Sequence, residues 1–179
     1  MFRSSESRYG IVTRLLHWLV ALLIIGLIGL GWWMVDLSYY DKWYNRSLDL
    51  HKALGMLVLL LAMIKIGWVA FDGKPGFPES MKRWERIAAT AAHHTFYLLM
   101  ILIPVTGYVI STSAGDGISV FGWFEIPAIM PAGDKLRDLA IELHYWLAYG
   151  AAVLVLMHAA AALKHQFIDR DGTLRRMTF

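Results

Sequence analysis

The sequence predicts an all-α fold, an integral membrane four-helix bundle with both termini on the cytoplasmic side. Three observations predict it. Hydrophobic residues make up 58% of the 179 residues and charged residues 17%, and the mean hydropathy is +0.49. A soluble domain carries about a quarter charged residues, so the apolar surplus calls for lipid. The apolar residues are gathered into four runs, each close to the roughly 20 residues that cross a bilayer core as a helix. The basic residues are divided unequally between the segments that join the runs.

The first run is LLHWLVALLIIGLIGLGWWMV (residues 15–35). It is too long for the apolar region of a signal peptide, and no A-x-A-like site follows before Trp43, so it reads as a retained helix. The second is ALGMLVLLLAMIKIGWVAF (53–71), the third IAATAAHHTFYLLMILIPVTGYVI (87–110), and the fourth LAIELHYWLAYGAAVLVLMHAAAAL (139–163). Backbone polar groups inside a bilayer must be satisfied within the segment, which makes helices the expected form. The expected helices cover about 10–36, 48–71, 82–113 and 134–168 within one transmembrane domain, residues 1–179.

Orientation follows from charge. Eleven Lys and Arg residues fall in the N-terminal segment, the second connection and the tail (Arg3, Arg8, Arg14; Lys74, Lys82, Arg83, Arg86; Lys164, Arg170, Arg175, Arg176). Five fall on the other side: Lys42, Arg46, Lys52, Lys135 and Arg137. The positive-inside rule then places both termini in the cytoplasm, and in a Gram-negative host the other side is periplasm. Trp32, Trp33, Trp43, Trp68 and Trp84 lie near run ends, as an interfacial aromatic belt requires. The connection 111–138 is long, and its segment GDGISVFGWFEIPAIMP is expected to lie on the outer membrane surface; long connections are often functional.

Composition also excludes. The chain has no cysteine, which removes structural disulfides, iron–sulfur clusters and covalently attached c-type haem. The formal charge of +3 is accounted for by the membrane-flanking loops. No separate basic helix or aromatic-interleaved patch points to nucleic acid.

The seven histidines carry the chemistry. His17, His93, His94, His144 and His158 lie inside the apolar runs, and His51 and His165 lie within two residues of one. Ionisable side chains at membrane depth are costly and are functional candidates. His144 and His158 are fourteen residues apart, roughly 21 Å along a helix and almost four whole turns, so they share a face at two depths. One small metal ion cannot be ligated by both. His51 begins the second helix at the depth of His144, and His17 begins the first at the depth of His158. Two bis-histidine pairs, outer and inner, suit the axial ligation of haem. His93 lies at similar depth to His17 and leaves the inner pairing open on depth alone. Gly26, Gly29, Gly31, Gly55, Gly107 and the alanines of the fourth run offer room for a flat macrocycle or for close helix packing.

Three cations adjoin these sites. Lys65 follows His51 by fourteen residues and lies on the same face at the inner level, placed for a haem propionate or a quinone oxygen, or for snorkelling to the interface. Arg14 precedes His17 by one turn, and Lys52 adjoins His51; both are propionate candidates. His165 follows His158 by two turns. With His93 and Lys65 it forms a candidate quinone site, since a neutral imidazole can donate to a quinone oxygen and relay protons.

These motifs resemble one family. RLLHW (14–18), LHKALG (50–55), HHTFYLLMILIPVTGY (93–108) and LHYWLAYGAAVLVLMHAAAALKHQFIDRDGTLRRM (143–177) are similar, nearly end to end, to the bacterial cytochrome b561 family, four-helix membrane cytochromes with two haems. The resemblance implies two haem b groups, one on His17 and His158 and the other on His51 and His144, with the haem iron as the metal. It implies an inner-membrane oxidoreductase that moves electrons between a periplasmic donor and quinone. In its superoxide-oxidase members superoxide is the donor and ubiquinone the acceptor. KHQF (164–167) keeps one histidine where a pair occurs in that enzyme, and His94 stands where an apolar residue is usual. The alternative donor is a soluble periplasmic redox protein docking on the long connection. A different class, a His-lined transporter or metal channel without haem, predicts no haem absorbance.

Overall fold

The computed structural model describes residues 2–129 and 131–178. Four long helices carry the chain: α1 (Ile11–Met34), α2 (Tyr44–Asp72), α3 (Arg83–Thr112) and α4 (Asp134–Lys164). All four are long and apolar enough to cross a membrane. Between α3 and α4 lies a small antiparallel hairpin, β1 (Ile118–Val120) and β2 (Phe124–Ile126). After α4 come a π-helical turn (His165–Asp169) and a 3₁₀ turn (Leu174–Arg176).

The helix bounds have local causes. α2 starts at Tyr44, ahead of the expected 48, because no Gly or Pro interrupts the polar YNRS segment and Ser47 Oγ donates to the Tyr44 carbonyl. Glu85 closes the start of α3 by accepting from the Lys82 N–H at 2.9 Å. α4 keeps α geometry only to Lys164; the next five residues widen into the π turn, which ends at Arg170 with φ 54°.

Packing runs around the bundle in sequence order. α1 lies against α2, α2 against α3 and α3 against α4, whereas α1 and α4 barely touch. Small and medium residues fill the centre: Ala62 is fully buried, and it packs with Val20 and Met100. Large apolar side chains such as Leu22, Leu60, Met63, Leu156 and Met157 face outward. That inverted pattern suits lipid, which accepts apolar surface without the penalty water would impose.

The hairpin is a difference from the sequence reading, which treats 111–138 as a loop. Ile118 and Val120 are buried and β1 packs on α2. The turn places Phe121 at φ 54° and Gly122 at φ 74°, and the left-handed conformation costs a non-glycine residue roughly 1–2 kcal/mol. Tyr108 fixes the following loop by donating to the Pro127 carbonyl and accepting from the Ile129 N–H.

At the opposite end both termini are bound to the bundle. Asp72, whose side chain is fully buried, accepts from the Ser4 hydroxyl at 2.6 Å, the Ser4 N–H at 3.0 Å and the Thr13 hydroxyl at 3.0 Å. Trp68 Nε1 donates to the same Thr13 hydroxyl. The tail crosses the start of α1: Arg8 and Arg14 donate to the Thr178 carbonyl and Trp18 Nε1 to the Met177 carbonyl.

Candidate haem and quinone sites

The four histidines expected to pair do so in space. The rings of His51 on α2 and His144 on α4 have centroids 6.2 Å apart. Those of His17 on α1 and His158 on α4 are 6.3 Å apart. A metal–nitrogen bond is about 2.0 Å, and an imidazole centroid lies roughly 1 Å behind its nitrogen, so two imidazoles on one metal have centroids roughly 6 Å apart.

The backbone around the pairs also leaves width. The helices that carry facing histidines, α2 with α4 and α1 with α4, make little or no direct contact with each other. A flat group between the rings needs that separation. A Cβ built on Gly26, Gly29 or Gly55 would meet nothing within 4 Å, so close packing does not demand those glycines. Gly31 and Gly107 serve another purpose. Their hydrogens face the edges of His51 and His144: a Cβ would lie 3.4 Å from His51 Cε1 and 3.2 Å from His144 Cε1.

His144 is held by its other nitrogen. Nδ1 lies 3.0 Å from the Ile103 carbonyl and 3.1 Å from Thr106 Oγ1. The carbonyl requires Nδ1 to carry the proton, which leaves the Nε2 lone pair for a ligand. Phe96 sits edge-on to His158 at 5.3 Å, and Trp18 edge-on to His17 at 5.3 Å. None of Thr106, Ile103 and Phe96 was singled out from sequence. His51 Nδ1 is buried and, among the described residues, has no hydrogen-bond partner.

His93 is also near His158, with centroids 5.9 Å apart. It approaches across α3 and α4, which pack closely. His94 is exposed. Lys65 is buried and within electrostatic reach of His17 and His93. Among the described residues no hydrogen-bond or ion-pair partner reaches its ammonium. Arg14 is buried as well, and its guanidinium donates to the Thr178 carbonyl of the tail at 2.7 Å. Lys52 is half-buried beside His51 and, among the described residues, makes no hydrogen bond or ion pair.

His165 is placed differently from His93 and Lys65. Its Nδ1 lies 2.7 Å from Asp171 and 2.9 Å from Asp169. Lys164 bridges Asp169 at 2.6 Å and Glu85 at 2.8 Å. Glu85, His165 and Asp169 come close enough to one another to hold a cation, but the Lys164 ammonium already occupies that role. Burial pushes the Asp171 carboxyl up, and the hydrogen bond from the Thr173 N–H together with the His165 imidazole outweighs it, so the carboxyl lies below its ordinary value.

The family model for prokaryotic cytochrome b561 matches residues 8–179. The chain belongs to the prokaryotic cytochrome b561 family. It is 44% identical over 176 residues to cytochrome b561 homolog 2 of Escherichia coli (strain K12), covering 98% of this chain and 94% of the relative. It is 28% identical to the probable superoxide oxidase CybB of Yersinia pestis, over 96% of each chain. It is 25% identical to cytochrome b561 homolog 1 of Escherichia coli (strain K12), over 90% of this chain and 92% of that one.

As a cytochrome b561, the protein is a haem-b-binding, electron-transferring oxidoreductase of a bacterial inner membrane. The His-lined channel reading is set aside by that membership. The imidazole spacing, the separated helices and the oriented Nδ1 of His144 all fit haem b.

Proposed function

We propose that this cytochrome b561 holds two haem b groups and carries electrons from superoxide on the periplasmic side to ubiquinone on the cytoplasmic side. The carrying observation is the presence of two imidazole pairs at two depths. In this reading His51 and His144 hold the outer haem, and His17 and His158 the inner one. His17 is favoured over His93 because α1 and α4 stand apart, whereas α3 and α4 are packed together. Bound haem b supplies a one-electron couple whose potential the protein tunes through ligands, burial and hydrogen bonds.

The chain's own residues do the rest. The Ile103 carbonyl and Thr106 fix the His144 tautomer. Phe96 and Trp18 hold the inner rings edge-on. Lys65 presents a buried cation beside His17 and His93, suited to a propionate or a quinone oxygen. His93 completes that polar face. His165 supplies an imidazole at the terminal end, where protons for quinol enter. Lys52 adjoins His51 as a cation for an outer propionate, and Arg14 serves to hold the tail over α1.

The termini and the connection between α2 and α3, which together carry eleven of the basic residues, lie at the cytoplasmic end in this reading. On the other side the cations are partly spent. Arg137 is bound to Asp134 and Asp138, both at 2.9 Å, whereas Lys42 and Arg46 lie over the Trp43 ring, a contact that leaves their charge unneutralised. Lys42, Arg46, Lys52 and Lys135 are therefore the residues left to attract an anion such as superoxide.

The second reading is favoured by the hairpin, where Trp123 is 82% exposed and Phe124 58% exposed. An exposed aromatic tip suits docking of a soluble periplasmic redox protein.

Purified protein in lipid nanodiscs containing ubiquinone separates the two. A steady superoxide flux is expected to reduce the protein and to yield one quinol for every two superoxide molecules consumed. Superoxide that leaves the protein oxidised, while a soluble redox protein reduces it, overturns the first reading for the second.

A further inference from the structure

The two terminal segments meet in a cleft that neither the haem ligands nor the quinone candidates line. Its volume is about 420 Å³, and it is lined by Ser7 and Arg8 from the N-terminal segment and by Arg175, Arg176 and Thr178 from the tail. Clefts that take small molecules run from about 300 to 1,000 Å³. Neither segment forms this one alone. Arg8 Nη2 donates to the Thr178 carbonyl at 2.9 Å, and the Tyr9 N–H reaches the Arg176 carbonyl at 3.4 Å.

The lining is cationic and unbalanced. No carboxylate lines the cleft, and among the described residues no Asp or Glu forms an ion pair with Arg8, Arg175 or Arg176. Arg8 spends one N–H on the Thr178 carbonyl and Arg176 one on the Gly76 carbonyl. A carbonyl accepts a hydrogen bond without cancelling a charge. The Arg175 side chain is exposed and, among the described residues, makes no hydrogen bond or ion pair. Elsewhere the chain treats arginine differently: Arg3 is set against Asp72, and Arg137 against Asp134. A guanidinium offers five N–H donors in a planar fork, which matches two oxygens of a phosphate at once. Three such groups around one cleft suit a phosphate with a neutral remainder that the Ser7 hydroxyl can contact.

Position selects the source of that phosphate. Trp18 Nε1 donates to the Met177 carbonyl at 2.8 Å, between two residues that line the cleft. Leu15, Trp18, Leu19 and Leu22 are all exposed, and their spacing makes them one face of α1. In a spanning helix that face meets lipid, and tryptophan marks the level of the head groups. The cleft therefore borders the lipid face at head-group depth. Basic clusters at that depth are drawn to anionic lipid.

We propose that the cleft binds the phosphate of an anionic phospholipid, such as phosphatidylglycerol, and that the bound lipid holds the tail over α1. Arg175 contributes from the tail and Arg8 from the N-terminal segment, so one head group links the two. Arg176 adds charge while its bond to Gly76 keeps the tail on the connection between α2 and α3. The acyl chains run along the exposed stripe of α1.

The test is native mass spectrometry of the full, haem-loaded protein, delipidated in detergent and titrated with phosphatidylglycerol or phosphatidylcholine. The natural protein is expected to retain one phosphatidylglycerol in preference to phosphatidylcholine. Arg8→Gln and Arg175→Gln are each expected to weaken that binding about fivefold, the effect of one basic residue at an anionic surface. Arg83→Gln, exposed at the same end but outside the cleft, is expected to bind as the natural protein does. Inorganic phosphate is expected not to displace the lipid. Phosphatidylglycerol is also expected to slow proteolysis of the tail in the natural protein and not in Arg175→Gln. An unchanged haem spectrum shows that each variant is folded, and Arg175→Gln removes no bond within the described residues. Equal retention of the two lipids, or an equal loss in Arg83→Gln and Arg175→Gln, overturns the proposal in favour of diffuse surface charge. Displacement of the lipid by inorganic phosphate overturns it in favour of a free-anion site.

Discussion

His144 reaches across the bundle to His51 with ring centroids 6.2 Å apart, while its own Nδ1 stays bound to the Ile103 carbonyl at 3.0 Å. One ring thus makes two commitments, and each constrains the other. The carbonyl sets the tautomer, and the tautomer sets which nitrogen faces the partner helix. Removing the Thr106 hydroxyl, the second contact to Nδ1, is expected to loosen the ring without removing the ligand. Partners of this kind are worth about 10–100-fold in metal affinity. Thr106→Val is therefore expected to weaken haem retention at the outer pair by about that factor and to spare the inner pair. Haem content after dilution into haem-scavenging apomyoglobin measures it.

Gly107 and Gly31 face the rings of the His51–His144 pair at unequal distances. A Cβ at Gly107 would stand 3.2 Å from His144 Cε1, and one at Gly31 3.4 Å from His51 Cε1. The first contact needs the ring to give by a few tenths of an ångström, and His144 is pinned on its Nδ1 side. Gly107→Ala is expected to perturb the outer haem spectrum and midpoint potential more than Gly31→Ala. Equal effects would show that His144 is free to move.

Much of this was legible in the sequence, for identifiable reasons. The four spans were legible because apolar runs of bilayer length have few alternatives. The two depths were legible because depth is set by position along a helix, and fourteen residues make nearly four turns; which of His17 and His93 partners His158 was not, and both rings lie beside it. Rotation about the helix axis was not legible, so Thr106, Phe96 and the glycine faces went unseen. The hairpin was hidden by strands of three residues and by a phenylalanine at positive φ, where a glycine would have signalled the turn. The Asp72 contacts join Ser4 across 68 positions, a separation no local pattern encodes. The His165 cluster depends on a π turn and on Arg170 at positive φ, neither of which an apolar period announces.

Asp72 binds the N-terminal segment to the end of α2. Leaving its donors unsatisfied costs roughly 1–3 kcal/mol, and 1 kcal/mol moves the Tm of a chain this size by about 2–4 °C. Asp72→Ala is expected to lower the thermal midpoint in detergent by several degrees and expose residues 2–9 to protease, with both haem spectra kept. Loss of haem in this variant would place Asp72 in the sites themselves.

The tail has a pH dependence with a definite sign. The Asp171 carboxyl lies below its ordinary value in the folded protein. Its contribution is present above the unfolded-state pKa and is lost as pH falls through the folded one. Tail docking is expected to hold at neutral pH and weaken as the solution is acidified below the usual carboxylate range. Asp171→Asn is expected to lower the midpoint near pH 7 and to match the natural protein at acid pH. A deficit that persists unchanged in acid would remove Asp171 from this role.

Lys65 is a buried ammonium with electrostatic neighbours His17 and His93. Lys65→Met keeps its length and removes its charge. It is expected to raise the KM for ubiquinone about tenfold or more, or to shift the inner haem potential if a propionate is its partner. Steady-state quinone reduction alongside a redox titration distinguishes the two, and no change in either would leave Lys65 a snorkelling residue.

The central claim is two bis-histidine haem sites, one per depth. The most direct measurement is electron paramagnetic resonance with redox titration of the natural protein and of His51→Ala, His144→Ala, His17→Ala and His158→Ala. The account predicts two low-spin haem signals in the natural protein. His51→Ala and His144→Ala should lose the same one, and His17→Ala and His158→Ala the other. A single signal in the natural protein, or loss of the His17 signal in His144→Ala, would contradict it.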